Sequence, residues 1–522
     1  MSNEFANKET TKKVTKTLFI MTFFVVITKI FGLLRDSVLA YFYGTSNIAD
    51  AYIIALSIPT VLFASLGKAI STALVPIYLK HQKDDEIKKT DMSSIFLFKI
   101  FFFGLLISGV ILAVIEMFPN IFVTIFASGF DVETSNICVN ILRIGAFSIF
   151  FMLLTAVCSA LALTKKKYIA TTLVSLPLNI ILIISIFLSM KTSYVVLGYG
   201  ILLAFASEFI FLVPFLFRQN IRVKPSFKKT GSSIDVFKMV IPILIGSTMS
   251  QINHIVDKSI ASSFAYGSVS ALNYSSTINV AIQELLVTGL LNVMFAEYSK
   301  QLIEKEIGEL KESTEHILKM LRVLLIPVTI FVLLNSKPII RILFMRGSFD
   351  ENSLTMTSLA LVFYSIGIYF VSFRDVVVKI FYANKNAVIP GLNSIIFIGI
   401  NVGLNFLLGY YMGVFGIALA TSISVILSSI FLLIVFQKKY FKLDIKKHIT
   451  HLLKILTYSF ICVVPSFAIL NGLNKIIPHQ NINFIISGVV FCVLYYFVLT
   501  YSGDHSLKNL LGSLLKKGAK ND

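Results

Sequence analysis

The sequence predicts an all-α polytopic membrane protein of about fourteen transmembrane helices. They are arranged as two six-helix lobes in a parallel pseudo-twofold repeat, plus two C-terminal helices. Three observations predict this. Apolar residues make up 56% of the 522 and run in blocks, each about 20 residues or more, enough to cross a hydrocarbon core roughly 30 Å thick. Lysine and arginine concentrate in alternate loops. Short phrases recur at one fixed offset along the chain.

The blocks place spans at 17–41, 48–79, 93–117, 135–163, 168–190, 194–217, 235–265, 269–299, 317–336, 353–383, 387–411, 413–437, 450–473 and 481–503. Each must be helical, because backbone groups in lipid need internal partners. The first sixteen residues are polar and basic, and the apolar run after them is too long for a secretory h-region. The first helix is therefore expected to stay as an anchor. The four cysteines (Cys138, Cys158, Cys462 and Cys492) lie far apart in apolar runs with no CxxC spacing, the pattern of core packing rather than of a disulfide or metal site.

Net charge is +19, which on its own would suit nucleic acid. Its distribution argues otherwise. The even-numbered loops and both termini hold about 30 Lys and Arg residues against about 5 in the odd-numbered loops, so both termini are expected in the cytoplasm.

The duplication is carried by four pairs of phrases. GTSNIADAYIIAL (44–56) answers GSVSALNYSSTINV (267–280), and ALVPIYLK (73–80) answers NVMFAEYSK (292–300). LTKKKYIATTLVSLPLNI (163–180) answers YANKNAVIPGLNSIIFIGINV (382–402), and LGYGILLAFAS (197–207) answers GVFGIALATS (413–422). The shared offset is roughly 220 residues and the repeat is six spans long. Six is even, so both copies point the same way, and a cleft between two lobes is the place for a substrate. The expected divisions are 1–230 for the first lobe, 231–440 for the second, and 441–522 for the last two spans and a cytoplasmic tail.

Charges inside spans are costly, about 2.5–3.5 kcal/mol each at mid-membrane, and mark wet cavities. The first span carries Lys29, Arg35 and Asp36; the second opens on Asp50 and contains Lys68; the seventh carries Asp257 and Lys258. Lys29, Arg35, Asp36, Asp50, Lys68 and Lys258 are the candidate substrate-binding residues. A cavity of this balance suits an anion, and arginine's planar fork matches phosphate. The competing structural readings are lysines that snorkel to a span end and an Asp36 that pairs with a neighbouring cation.

At these residues the chain resembles the MurJ lipid II flippase family of the multidrug/oligosaccharidyl-lipid/polysaccharide exporter superfamily. The likeness is carried by TKIFGLLRDSVLAYFYGTSNIADAYIIALSIP (28–59), VDKSIASSFAYGSVSALNYSS (256–276), ILFMRGSFD (342–350), and FYANKNAVIPGLN (381–393) followed by GVFGIALATS (413–422). The resemblance implies a V-shaped pair of lobes, two extra helices forming a lipid-facing groove, and alternating access without ATP. It implies that Arg35, Asp36 and Asp50 line the cavity and that Lys29 replaces a frequent arginine. Two further cavity arginines of the family fall near Phe63 and Thr277, and neither is charged here; Lys68 and Lys258 are the residues that could compensate. Some family members bind sodium, and the matching positions here are Asp257, Asn401, Asn405 and Thr421. Asn401 and Asn405 share one helix face. The alternative for these amides and hydroxyls is hydrogen bonding between helices.

The expected function is thus translocation of a lipid-linked peptidoglycan precursor, lipid II, across the bacterial plasma membrane. No cofactor is expected except sodium as a coupling ion. The partners are lipid II or another undecaprenyl-diphosphate-linked glycan, membrane lipids and the cell-wall synthesis machinery. A flippase for another lipid-linked oligosaccharide is the first alternative. A membrane glycosyltransferase or polymer ligase is the second. It is disfavoured because no HExxH or GxSxG occurs and the longest external loop, 118–134, offers only Asp131 and Glu133. Gly67–Lys68 is followed by Ala69, so no phosphate-binding loop is present either. A drug antiporter would need buried carboxylates for its cationic substrates.

Overall fold

The computed structural model describes residues 2–88, 90–165, 167–217, 223–227, 251, 253, 255–384, 386–476 and 480–504. Among these residues the regular structure is helical throughout. Two compact units result: Met1–Ser270 with Arg346–Phe349, and Ala271–Met345 with Asp350–Asp522.

The first unit contains α1 (Ser2–Tyr43), α2 (Asn47–Lys88), α3 (Met92–Met117), α4 (Pro119–Phe126), α5 (Val132–Gly145), α6 (Ser148–Thr164), α7 (Tyr168–Leu173), α8 (Ser175–Lys191) and α9 (Val196–Phe217). Its helix α2 packs on α5 and α6, α6 and α8 pack on α9, and α1 packs on α8. Leu74, Ile77, Phe96, Leu97, Val157 and Leu161 form part of the shared core. Asp131, one of the two carboxylates in the 118–134 loop, is the N-cap of α5 and accepts from Thr134 N at 3.2 Å.

The second unit takes in α10 (Ser268–Gln283), which starts in the first, a π-helical turn at Glu284–Thr288, and α11 (Gly289–Ile303). It continues through α12 (Ile307–Phe344), α13 (Glu351–Ser365), α14 (Ile368–Ala383), α15 (Val388–Met412), α16 (Val414–Lys439), α17 (Ile445–Ile476) and α18 (Gln480–Tyr501). Tyr298, Leu318, Ile380, Phe381 and Phe436 are in its core, which extends through Cys462, Val463, Phe491 and Tyr495 into the last two helices. All four cysteines are free thiols.

The internal repeat is visible as local geometry. Helices α5 and α6 bend by 48° at their break, and α13 and α14 bend by 41°. The helices after the two breaks begin at Ser148 and Ile368, matching the offset of the repeated phrases. The tightly packed pairs α8–α9 and α15–α16 likewise correspond. Both place small residues at the crossing, with Gly200 against Ser185 and Gly416 against the Leu408 backbone, so the backbones can approach without a hydrophobic drive between helices.

Nine described helices are long and apolar enough to cross a membrane, or eleven when each bent pair counts as one span. The protein is a multi-pass membrane protein on this ground. Of the fourteen spans read from the sequence, the one at 235–265 lies largely outside the described residues.

Candidate functional site

Arg35 and Asp36 sit two turns from the C-terminal end of α1. Arg35 donates from Nε and Nη2 to the same Asp36 oxygen, at 2.9 and 2.7 Å. The Asp36 side chain is 2% exposed and that of Arg35 22%, so the cation faces water more than its partner does. Lys29 is exposed, seven residues before Asp36, which puts the two on one helical face.

Lys258 completes the cluster. Its Nζ donates to Ser57 Oγ on α2 at 2.5 Å, and it lies in the electrostatic field of both Asp36 and Arg35. Buried Tyr52 lies in the field of the same pair. The first unit therefore brings together Arg35, Asp36 and Lys258: two cations for one carboxylate. Ser57 and Tyr52 were not singled out by the sequence reading. The signal available was spacing, since Ser57 follows Asp50 by seven residues and shares its face of α2.

Asp50 has a different environment. Its two oxygens accept from Gly267 N at 2.8 Å and Ser270 N at 2.7 Å, and it is 3% exposed. It holds the first N–H groups of α10, which have no partner inside the helix. The turn after α1 is fixed by the same neighbourhood: Ser348 N donates to Tyr41 O at 2.8 Å. Gly347 has φ 60°, and a Cβ there would collide with Tyr41 O. The phrase ILFMRGSFD thus needs its glycine both for the left-handed backbone and for the close approach.

The Lys68 backbone belongs to α2, while its side chain lies outside the described residues. Phe63 is buried at 2% exposure, and Thr277 Oγ1 donates to Asn273 O at 2.9 Å, so neither position supplies a cation.

Of the four residues matched to a sodium site, three meet inside the second unit. Asn405 Nδ2 donates to Asn401 Oδ1 at 2.9 Å, and Asn401 Nδ2 donates to Thr421 Oγ1 at 3.3 Å. Both asparagines are fully buried. The trio links α15 to α16 and offers neutral oxygens of the kind a hard cation takes. Asp257 belongs to the first unit, where it accepts from Asn253 Nδ2 at 3.1 Å.

Comparison with known proteins fits this layout. The family profile described as Lipid II flippase MurJ matches residues 39–483. A probable lipid II flippase MurJ of Thermotoga maritima is 28% identical over 429 residues, covering 81% of this chain and 86% of its own length. A probable lipid II flippase MurJ of Buchnera aphidicola subsp. Schizaphis graminum is 28% identical over 505 residues, covering 92% and 96%. A solved structure of lipid II flippase MurJ in an inward closed conformation superposes with a TM-score of 0.80 at 26% identity, covering 93% of this chain and 99% of that one. An inward-facing MATE family multidrug resistance transporter of the MOP superfamily shares the fold, with a TM-score of 0.67 at 14% identity over 81% of this chain and 98% of that one. With the family profile spanning residues 39–483, and the Gly347 turn in place within it, the protein belongs to the lipid II flippase MurJ family.

Proposed function

We propose that this chain is a transporter, not an enzyme, and that it carries lipid II from the cytoplasmic to the outer leaflet of the bacterial inner membrane for cell-wall synthesis. The observation that carries the reading is the family match across residues 39–483. The Arg35–Asp36–Lys258 cluster supports it, because the lipid carrier's diphosphate is the part of the substrate that most needs a partner away from water. In the proposed cycle the head group enters from the cytoplasm and Arg35, Lys29 and Lys258 neutralise the diphosphate. Alternating access then exposes it outside, while the polyprenyl tail stays in lipid. Both termini are cytoplasmic in this scheme.

A second reading has a specific motive. Phe63 and Thr277 stand near the positions where the resemblance implies cavity arginines, and neither is charged, so another undecaprenyl-diphosphate-linked glycan is the alternative cargo. One experiment separates the two. A bacterium is depleted of its own lipid II flippase, this chain is expressed, and lipid II accessible from outside the cell is measured. Restored accessibility is expected. None, despite normal abundance and membrane insertion, moves the assignment to a different lipid-linked glycan.

A further inference from the structure

We propose that two histidines on α17 form a proton-released clamp that fastens the C-terminal helix pair, α17 and α18, to α12. This inference is independent of the cargo, and the whole arrangement lies inside the second unit.

The clamp centres on Arg322 of α12, which is 4% exposed. Its Nε donates to His451 Nδ1 at 3.1 Å, and its Nη1 lies 2.6 Å from His448 Nδ1. A guanidinium has donors only, so each facing Nδ1 must offer a lone pair. Both rings are therefore neutral, with the proton on Nε2. His451 then donates through Nε2 to Asp504 Oδ2 at 3.0 Å. The other oxygen of Asp504 lies 3.1 Å from Lys319 Nζ, one turn before Arg322 on α12. Asp504 is aimed by the end of α18: Gly503 has φ 75°, and Asp504 N donates to Leu499 O at 3.1 Å.

One chain of bonds thus runs Lys319–Asp504–His451–Arg322–His448 and joins three elements. A carboxylate in place of the imidazoles would hold Arg322 at any physiological pH. Imidazoles hold it only while neutral, and burial and then the Arg322 charge move the protonation of His448 to the acid side of the ordinary imidazole value. A proton on either Nδ1 puts N–H against N–H and cation against cation. His451 cannot satisfy Asp504 and Arg322 together once both its nitrogens are donors.

Protons reach the rings through a cavity of about 680 Å³, lined in part by His316, Lys319, Arg322, His448 and His451. The charges facing the pair are Asp444 just before α17 and Lys447 on it, Glu309, Glu312, Glu315, His316 and Lys319 on α12, Glu297 on α11, and Asp504 after α18. Tyr369 of α14 lies beside Arg322 as well. Deeper in the unit, Tyr495 OH donates to Val323 O at 2.9 Å. That bond does not depend on the histidines, so release at the clamp leaves α18 attached there and lets the outer turns of α17 move.

The test uses the full chain in lipid nanodiscs. Spin labels are placed at the exposed positions Lys311 on α12 and Lys446 on α17, on a cysteine-free background. The distance distribution is recorded between about pH 8 and about pH 4, because burial and then the Arg322 charge push the His448 ring down to about 4. A single distance is expected at the higher pH, with a second, longer population growing in acid. In the double variant H448Q/H451Q the glutamine oxygens can still accept from Arg322, and the residue 451 amide can donate to Asp504, but nothing titrates. That variant is expected to lose the acid-driven change. It supports the clamp whether it stays closed at both pH values or is open at both. A wild type with one unchanged distance throughout, or a double variant that still opens only in acid, overturns the proposal.

Discussion

Arg35 directs two donors at one oxygen of Asp36, and α1 thereby presents a cation whose counter-charge is buried beneath it. Charge-assisted hydrogen bonds contribute roughly 1.5–3 kcal/mol, and about 1.4 kcal/mol is a factor of ten in affinity. Arg35→Ala is therefore expected to lower lipid II flipping by roughly tenfold or more. Arg35→Lys should be intermediate, because it keeps the charge and loses the fork. Externally accessible lipid II in a flippase-depleted host, at matched protein abundance, measures both. An Arg35→Ala protein of normal abundance that flips normally rules out the cationic cluster as the grip on the diphosphate. The same scale shows where charge alone misleads. Asp50 is as conspicuous in the sequence as Asp36, yet its oxygens hold backbone N–H groups 217 and 220 residues away. No local spacing announces such a partner, because the sequence states a side chain's charge and not its neighbour.

Helices show a similar division between what is local and what is not. The two bends, at 145–148 and 365–368, fall in runs read as single continuous spans. No proline marks either break, so hydropathy, which reports only the width of the hydrocarbon core, passes straight through them. The start of α13, two residues before the span read at 353–383, is set by a local contact. Asp350 is its N-cap, accepting from Ser353 N at 2.8 Å and Ser353 Oγ at 2.7 Å. The Ser353 backbone N–H, and then its hydroxyl, hold the Asp350 carboxyl below the usual carboxylate range. Asp350→Ala should cost about 1 kcal/mol, and Asp350→Asn less. The pH dependence follows from the direction of the shift. A depressed folded value means the stabilisation is fully present above the unfolded carboxylate value of about 3.9 and is lost as pH falls through the lower folded value. Thermal unfolding of the wild type and Asp350→Ala should therefore converge in acid and separate near neutrality. A constant gap at all pH values would show that the cap acts through its shape and not its charge.

At the scale of the whole molecule the open question is what resets the cycle, since one charge crossing 100 mV is worth about 2.3 kcal/mol and the Arg35–Asp36–Lys258 cluster carries more cations than carboxylates. An anionic diphosphate would offset that excess on the outward stroke and leave it on the return, so the empty carrier would feel the membrane potential and the loaded one would feel it less. A coupling cation is the second lever. We propose sodium at the Asn401–Asn405–Thr421 trio, whose oxygens are neutral and whose two asparagines are buried. Binding to the folded state alone would stabilise it, by about 2.7 kcal/mol at a hundredfold excess over Kd. The purified protein should then melt higher in sodium than in potassium at equal ionic strength, and flipping in proteoliposomes should accelerate with sodium at a clamped potential. Asn401→Leu, which removes the amide shared by Thr421 and Asn405, should abolish both differences and also lower stability in potassium through its lost hydrogen bonds. If the wild type melts and flips identically in the two salts while Asn401→Leu is merely less stable, the trio is a tie between α15 and α16. The potential alone would then drive the return.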